Sequence, residues 1–539
     1  MLMKRNPLSV LSCSVSLSML AFIEALAAEP PMPDNSRFIL TPQPAHTPRL
    51  TGAAAYGQRP GSPFQFTITA TGDRPMTFAA TGLPAGLVLD AATGQITGTV
   101  ATAGSFPVKV AARNALGEAS RELKIVIGEA ISLTPPMGWN SWNSWAGDVD
   151  KEKVLRSARE IVSTGLINHG WNYINIDDTW QGARTGPDHA LLTNDKFSDM
   201  KGLVDEIHSL GLKAGIYSTP WITSYASYAG GSSDNPDGAW DKATLGTNDF
   251  HHIGKFHFMV ADAKQYAVWG FDYLKYDWDN QKPSDIREMS DALRTSGRDI
   301  IYSLSNSLPL NLGTDLVKLS NVWRTTGDIQ DIWGRTTTDT YHKGVAEIGF
   351  AQDAWAPFSG PGHWIDPDML VLGRVSVGSA MHATKLTPDE QFTHISLWSL
   401  LAAPLLIGCD MERVDAFTLS LLTNDEVLDI DQDVLGKQAV RVAGPAFTIP
   451  PAGADPADNP GGNGIVYARP LADGSLAVGL FNVGPNEEKV TITWKDLGVD
   501  GQRTVRDVWR QKDLGAFAGG FSATVAAHGV VLVKVRAAP

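Results

Sequence analysis

Cysteine is scarce in this chain of 539 residues, which contains two. Cys13 lies in an N-terminal stretch that we expect to be removed, so Cys409 alone would remain in the mature protein. One cysteine cannot form an intramolecular disulfide, and stability must therefore come from packing. Phosphate-binding glycine loops, internal repeats and zinc-type spacings of cysteine and histidine are also missing, which argues against nucleotide-binding, repeat and zinc-finger proteins.

Positive charge is in short supply as well. The chain has 44 lysines and arginines against 58 aspartates and glutamates, a formal net charge of -14. A protein that binds nucleic acid normally presents a basic surface to the phosphates. We therefore expect no nucleic-acid partner.

The first 28 residues have the pattern of an export signal. Lys4 and Arg5 precede a mostly apolar stretch from 8 to 23, and Ala25-Leu26-Ala27 matches the small residues of a cleavage site. We expect cleavage, a periplasmic or secreted protein, and no membrane partner afterwards. The alternative is an N-terminal anchor, but the stretch is short and serine-rich for crossing about 30 Å of hydrocarbon.

The length exceeds what one hydrophobic core usually supports, which predicts a multidomain protein. Residues 29–48 carry six prolines and predict an extended linker. Residues 49–128 consist of short alternating runs between turn residues, which predicts a small antiparallel β-sandwich. The same texture returns over 438–539 and predicts a C-terminal antiparallel β-sandwich.

Between 131 and 437 the pattern alternates between apolar strands and amphipathic helices, which is typical of a parallel sheet with crossover helices. The predicted strands are 136–142, 172–178, 213–219, 273–277, 299–306, 321–328, 363–370 and 404–410. Eight such units predict a (β/α)8 TIM barrel, whose active site lies at the carboxyl ends of the strands.

Asp277 and Asp328 each follow a predicted barrel strand, in YLKYD and WRTTGD. Two carboxyl groups about 5 to 5.5 Å apart can cleave a glycosidic bond through a covalent intermediate. Lys275 points the same way as Asp277 and would hold it ionised, as a nucleophile requires. A raised pKa would let Asp328 act as acid and base, while Arg324 could tune it or anchor a sugar hydroxyl. For each residue alone, a structural salt bridge is the alternative.

Asp177 and Asp178 end the second predicted strand, where adjacent like charges suit the recognition of sugar hydroxyls. Metal binding is the alternative, kept open by His363, Asp366 and Asp368. Aromatic side chains could stack on sugar rings near the same strand ends, although each alone is more often a core residue. They are Trp139, Trp142, Trp145, Trp180, Tyr217, Trp221, Trp278, Trp333 and Trp364.

Seven strings occur in one order: TPPMGWNSW, YINIDDTW, LKAGIYS, YLKYD, WRTTGDI, GPGHWIDPDML and APLLIGCD. Through them, residues 131–537 resemble glycoside hydrolase family 27, the retaining α-galactosidase (melibiase) family of clan D. The string GLPAGLVLDAATGQITGTV in the N-terminal sandwich is similar to immunoglobulin-like modules of exported bacterial enzymes, which are mostly spacers or adhesive domains.

The resemblance implies a barrel followed by an antiparallel β-domain, no cofactor or metal, and a carbohydrate substrate. It implies that Asp277 is the nucleophile and Asp328 the acid/base. The implied sugar-binding positions are Trp142, Asp177, Asp178, Tyr217, Lys275, Arg324 and Asp368. Thr179 and Trp278 stand where many members have cysteines of a disulfide.

Ser305 stands where α-galactosidases carry a glutamate in the loop that contacts the C2 substituent. The expected activity is hydrolysis of terminal α-D-galactosides with retention. The alternatives are the same mechanism on β-L-arabinopyranosides or α-N-acetylgalactosaminides, and, more remotely, a non-catalytic carbohydrate-binding protein, which would have lost a catalytic carboxylate. The oligomeric state is not readable from these patterns.

Overall fold

Eight short parallel strands form the central barrel of the protein. We label them β1 (Met137–Asn140), β2 (Tyr173–Asn175), β3 (Lys213–Ser218), β4 (Tyr273–Asp277), β5 (Ile301–Ser305), β6 (Val322–Arg324), β7 (Trp364–Asp366) and β8 (Leu405–Ile407). Strands β1 to β7 follow chain order in the sheet and β8 pairs with β1. Leu370, just beyond β7, bridges Ile407 and closes the ring. The predicted TIM barrel is confirmed.

The structure is a computed structural model that describes residues 31–240, 251–334, 341–378, 380–448 and 459–538. The predicted export signal, 1–28, lies outside these residues. From Met32 to Pro539 the chain forms one compact unit. None of the helices in the described part combines the length and apolar character needed to span a bilayer.

Helices alternate with the barrel strands along the chain and surround them. They are Trp142–Trp145, Lys151–Ser163, Met200–Ser209, Met259–Trp269, Pro283–Arg294, Gly313–Leu319, Val345–Gly349, Pro388–Leu401, Ala416–Leu422 and Asp425–Asp431. Their starts follow from local chemistry: Asp150 and Asp199 accept hydrogen bonds from free N–H groups of the first turn. Thr387 and Glu390 form a reciprocal capping box that begins the longest helix.

The N-terminal sandwich has the strands Arg49–Thr51, Ala55–Gln58, Pro63–Thr67, Thr69–Thr71, Thr77–Thr81, Leu87–Leu89, Gln95–Thr99, Gly104–Asn114 and Gly117–Ile127. One pair departs from the predicted antiparallel pattern, because Ala55–Gln58 runs parallel to Gly117–Ile127. Alternate side chains of the long strands, such as Val108 and Val110, are fully buried between the sheets.

This sandwich is docked on the amino-terminal ends of the barrel strands. Lys213, the first residue of β3, donates a 2.6 Å hydrogen bond to the Tyr56 hydroxyl, and its ammonium lies 4.3 Å from the centre of that ring. Thr67 donates to the carbonyl of Gly211 at 2.9 Å. Arg59 binds Asp299, just before β5, at 2.9 Å. The module therefore covers the end of the barrel opposite to the carboxyl ends of its strands.

The proline-rich segment before the sandwich also packs against the protein. Apart from the 3-10 turn Ser36–Phe38, it is irregular and extended. Phe38, Ile39 and Leu40 pack against the main hydrophobic core, and Thr41 donates to the carbonyl of Ser420 at 2.7 Å. Its few apolar residues thus attach the predicted linker to the barrel.

The C-terminal domain is antiparallel, as predicted. Its strands are Val440–Ala443, Gly464–Pro470, Leu476–Asn482, Glu488–Thr493, Arg503–Asp507, Lys512–Phe517, Gly520–Val525 and Val530–Ala537. Six of them form one sheet, and Glu488–Thr493 pairs with Gly520–Val525 in a second. Helix Pro388–Leu401 lies between this domain and the barrel, which explains why twelve of its residues are buried.

Candidate active site

A pocket of about 470 Å³ opens at the carboxyl ends of the barrel strands. All ten side chains that the sequence proposed as catalytic or sugar-binding line it. They are Trp142, Asp177, Asp178, Tyr217, Lys275, Asp277, Ser305, Arg324, Asp328 and Asp368. Residues from 142 to 368 therefore meet in one place, because parallel strands deliver their carboxyl ends to one face.

Strand β4 supplies two of the central groups. Lys275 and Asp277 lie two residues apart on it and so point to the same side. The Lys275 ammonium donates to Asp177 Oδ2 at 2.8 Å rather than to Asp277. Asp277 Oδ2 accepts a 3.0 Å hydrogen bond from the Tyr217 hydroxyl, and its Oδ1 accepts one of 2.6 Å from Asn306 Nδ2. Both oxygens of Asp277 are thus held by neutral donors.

Asp328 lies in the loop after β6, opposite a buried guanidinium. Arg324 Nη2 donates to Asp328 Oδ1 at 3.1 Å and contacts Asp368 Oδ2 at 2.8 Å. The side chain of Asp328 is 46 % exposed, whereas those of Arg324 and Asp368 are each 4 % exposed. Asp328 is therefore the carboxyl group that faces the open part of the pocket, while Asp368 serves as the buried counter-ion of Arg324.

The pKa values of the two acids shift in the directions opposite to those expected from sequence. Burial, together with Asp328 and Asp177, raises the pKa of Asp277 to about 7, although Lys275 opposes the rise. Burial would also raise the pKa of Asp328, but Arg324 and Lys275 outweigh it and lower that pKa below its ordinary value. The expectation was wrong because Lys275 binds Asp177, while Arg324 directly binds Asp328.

Asp177 and Asp178 organise their surroundings as well as facing the pocket. Asp178 accepts hydrogen bonds from the backbone N–H of Thr179 at 2.7 Å and of Ala226 at 3.0 Å. It also accepts from Gln181 Nε2 at 3.0 Å. Through these contacts Asp178 holds the loop after β3 against the loop after β2.

His363 lies apart from Asp366 and Asp368, the two other residues that kept a metal site open. His363 precedes β7 and donates its Nδ1 hydrogen to the carbonyl of Phe358, at the amino-terminal end of the barrel. Asp368 lies beyond the opposite end of the strand, against Arg324. In the described ranges of the chain, no group of three or more His, Cys, Asp or Glu side chains is arranged to hold a metal ion.

Most of the aromatic residues noted in the sequence are core residues. Trp139, Trp180, Trp278 and Trp364 are at most 1 % exposed and Trp221 is 6 % exposed, so five of the nine are buried in hydrophobic clusters. Trp142 and Tyr217 line the pocket. The alternative of core packing is thus correct for the majority.

Sequence reasoning missed three pocket residues that contact each other. Asn306 follows the noted Ser305, and Tyr225 and Tyr341 lie in loops after β3 and β6. Asn306 is buried and has a left-handed backbone (φ 73°), an uncommon conformation that asparagine tolerates better than most residues. The only available signal was an asparagine directly after a predicted strand, which by itself indicates a turn.

Comparisons with known proteins agree with this geometry. Residues 134–433 match the family model "Alpha galactosidase A", residues 461–535 match "Alpha galactosidase C-terminal beta sandwich domain", and residues 47–128 match "Putative Ig domain". A curated relative, the α-galactosidase of Oryza sativa subsp. japonica, is 32 % identical over 437 residues, which are 79 % of this chain and 90 % of the relative.

Two solved structures extend the likeness. A "putative alpha-galactosidase" from Bacteroides fragilis is 30 % identical, with a TM-score of 0.79, and the match covers 92 % of this chain and 99 % of that one. A β-L-arabinopyranosidase of family 27 from Geobacillus stearothermophilus is 28 % identical, with a TM-score of 0.62, over 76 % of this chain and 97 % of that one. Because the family model that matches residues 134–433 spans more than half of the sequence, this chain belongs to the α-galactosidase family of glycoside hydrolases, family 27.

Proposed function

We propose that the protein is a retaining exo-glycosidase that removes terminal α-linked D-galactose. The observation that carries the proposal is that Asp277 and Asp328, from two different strand ends, line one pocket. Two carboxyl groups on either side of a glycosidic bond are the equipment of this reaction. The packed interior of the barrel closes the floor of the pocket, which suits the end of a sugar chain better than its middle.

In the first step Asp277 attacks the anomeric carbon while Asp328 gives a proton to the departing oxygen. In the second step Asp328 takes a proton from water, and the water attacks the galactosyl ester on Asp277, so that the configuration is retained. This mechanism calls for the predicted distance of about 5 to 5.5 Å between the two carboxyl groups. Buried Asp177 and Asp368 can accept hydrogen bonds from sugar hydroxyls, and Lys275 and Arg324 can donate them.

The Asp277→Ala variant tests the nucleophile with p-nitrophenyl α-D-galactoside. We expect turnover to fall by at least a thousandfold, and azide to restore part of it while inverting the product, as seen by proton NMR. Asp291→Ala, at an exposed position of helix Pro283–Arg294, is the matched control and should keep full activity. Turnover of the Asp277 variant at the control's level would refute the assignment.

Ser305 favours a second candidate, the same reaction on α-N-acetylgalactosaminides. It is small, 4 % exposed, and lines the pocket as the last residue of β5, the strand next to β4. The similarity to a β-L-arabinopyranosidase supports a third substrate, which lacks only the C6 hydroxymethyl group of galactose. A panel of the three p-nitrophenyl glycosides ranks them by kcat/KM. A galactoside value below either of the others would displace the first proposal.

We also propose that the enzyme acts outside the cytoplasm. The basic start, apolar stretch and Ala-Leu-Ala site of the first 28 residues support export. Expression of the full sequence followed by N-terminal sequencing of the periplasmic and culture fractions tests it. An uncleaved cytoplasmic product would contradict the proposal.

A further inference from the structure

A chain of hydrogen bonds joins the two acids along one wall of the pocket. Asn306 Nδ2 donates to Asp277 Oδ1 at 2.6 Å, and Asn306 Oδ1 accepts from the Tyr341 hydroxyl. The same hydroxyl oxygen lies 3.2 Å from Asp328 Oδ1. Two residues therefore span the distance between a carboxyl group on β4 and another in the loop after β6.

The orientation of Asn306 in this chain is fixed by its partners. Its amide nitrogen has two hydrogens, of which one points to Asp277 and the other to the Tyr225 hydroxyl at 2.9 Å. With Asp277 ionised, the reversed orientation would place the amide oxygen against a carboxylate. The side chain is 3 % exposed, so water could not easily repair such a mismatch.

The Tyr341 hydroxyl can donate to only one of Asn306 and Asp328 at a time, because it has a single hydrogen. If it donates to an ionised Asp328, then Asn306 Oδ1 loses its donor. If it donates to Asn306, then the contact with Asp328 is favourable only when Asp328 carries a proton and donates it to the Tyr341 oxygen. The direction of this hydroxyl is thus tied to the protonation of Asp328.

With Asn306 in this orientation, one proton arrangement gives every hydrogen of the chain an acceptor. In it Asp328 is protonated and donates to Tyr341, Tyr341 donates to Asn306, and Asn306 donates to ionised Asp277. Tyr217 donates to the other oxygen of Asp277 at 3.0 Å. A proton on Asp277 Oδ1 would instead face the NH2 group of Asn306. Hydrogen bonds in series also strengthen one another.

We propose that Asn306 and Tyr341 are positioning residues, which direct the proton shared by the two acids to Asp328 and leave Asp277 ionised for attack. This inference rests on the proposed function, since it concerns the same two acids. The charged and titratable groups around the pair act on the same proton. They are Asp177, Tyr217 and Lys275 beside Asp277, and Lys275, Arg324, Tyr341, His342 and Asp368 beside Asp328.

Lys275 and Tyr217 favour an ionised Asp277, but other neighbours work against the arrangement that catalysis needs. Arg324 binds Asp328 directly and favours its ionised form, whereas Asp177 and Asp328 disfavour a negative charge on Asp277. A counteracting contact is therefore required in the pocket, and the neutral chain through Asn306 and Tyr341 supplies it without adding a charge.

The test compares kcat/KM on two substrates whose leaving groups differ in their need for a proton. Dinitrophenol departs without a proton, whereas the sugar leaving group of melibiose, a galactosyl α-1,6-glucose disaccharide, needs one from Asp328. Tyr341→Phe keeps the ring and removes only the bridging hydroxyl. We expect its kcat/KM on melibiose to fall about tenfold or more, and on 2,4-dinitrophenyl α-D-galactoside to fall less than threefold. Its optimum pH should also move.

Tyr225→Phe is the matched control, because it removes the other hydroxyl at Asn306 but leaves the connection between the acids intact. Its ratio of the two kcat/KM values should equal that of the unmodified enzyme. Asn306→Gly, which tolerates the left-handed backbone, should lose activity on both substrates because it releases Asp277.

Equal losses on the two substrates for Tyr341→Phe, or the same change of ratio in Tyr225→Phe, would overturn the inference. Asp328→Ala separates this failure from that of the proposed function. If Asp328→Ala discriminates strongly between the two substrates and Tyr341→Phe does not, the acid/base assignment stands and only the positioning role is refuted. If Asp328→Ala fails to discriminate, the assignment of Asp328 is itself wrong.

Discussion

Replacing Asp277 with asparagine should stabilise the protein, and increasingly so as the pH rises. Burial raises the pKa of Asp277 to about 7, against 3.8 in an unfolded chain. Between these two values the folded protein keeps a proton that the unfolded chain has released. Stability therefore falls as the pH rises through this window, and it stays lower above it. Asparagine has no charge to bury and removes this cost.

The magnitude follows from the same numbers. Each tenfold change in the dissociation constant corresponds to about 1.36 kcal/mol. The rise in the pKa of Asp277 from 3.8 to about 7 therefore lowers the free energy of unfolding by at most about 4 kcal/mol above pH 7. The compact unit that begins at Met32 spans about 500 residues. At roughly 2.1 cal/mol/K per residue its unfolding entropy is about 1.1 kcal/mol/K, and the expected gain in Tm is about 4 °C.

Differential scanning calorimetry of both proteins from pH 4.5 to 8.5 measures this difference. The two Tm values should nearly coincide at the acid end and separate toward neutrality. Asp473→Asn is a control of opposite sign. Burial would raise the pKa of Asp473, but its bonds to Ser475 and Lys534 outweigh burial and lower that pKa to about 2. This variant should be less stable throughout the range. A Tm gap for Asp277→Asn that does not change with pH would refute the reasoning.

Four further outcomes are expected. The kcat/KM of the free enzyme should fall tenfold per pH unit above about 7, where the proton shared by Asp277 and Asp328 is lost. A flat profile to about pH 9 would contradict this. Arg324→Lys should lower kcat/KM at least tenfold at an unchanged circular dichroism spectrum, because lysine lacks the planar guanidinium held between two carboxylates. Asp331→Asn should lower both kcat and Tm, since this fully buried carboxylate anchors the loop that carries Asp328 through bonds to His382 and Lys385. Lys213→Met should lower Tm and leave kcat/KM as it is, because it removes the 2.6 Å bond to Tyr56 at the end away from the pocket.

The barrel could be predicted because local sequence patterns repeat along it. An apolar run ending in polar residues, followed by a helical period, indicates one unit of a parallel sheet, and every one of the eight predicted runs contains an observed strand. The parallel edge pair of the N-terminal sandwich escaped prediction, since strand direction depends on which distant segment lies alongside. The docking of that sandwich on the barrel also depends on single contacts, such as Thr67 with Gly211, that carry no pattern.

The sequence by itself determined ten of the residues that reach the pocket, because a strand's carboxyl end fixes where its last side chains go, but it did not reveal Tyr225, Asn306 or Tyr341. It did not determine their charge states. Lys275 lies nearest to Asp277 along the chain, yet its ammonium binds Asp177, almost a hundred residues away. The network through Asn306 and Tyr341 likewise joins loops that are distant in sequence. Only the tertiary structure decides such pairings, since a pKa depends on distances of a few ångströms between groups that the chain brings together by folding.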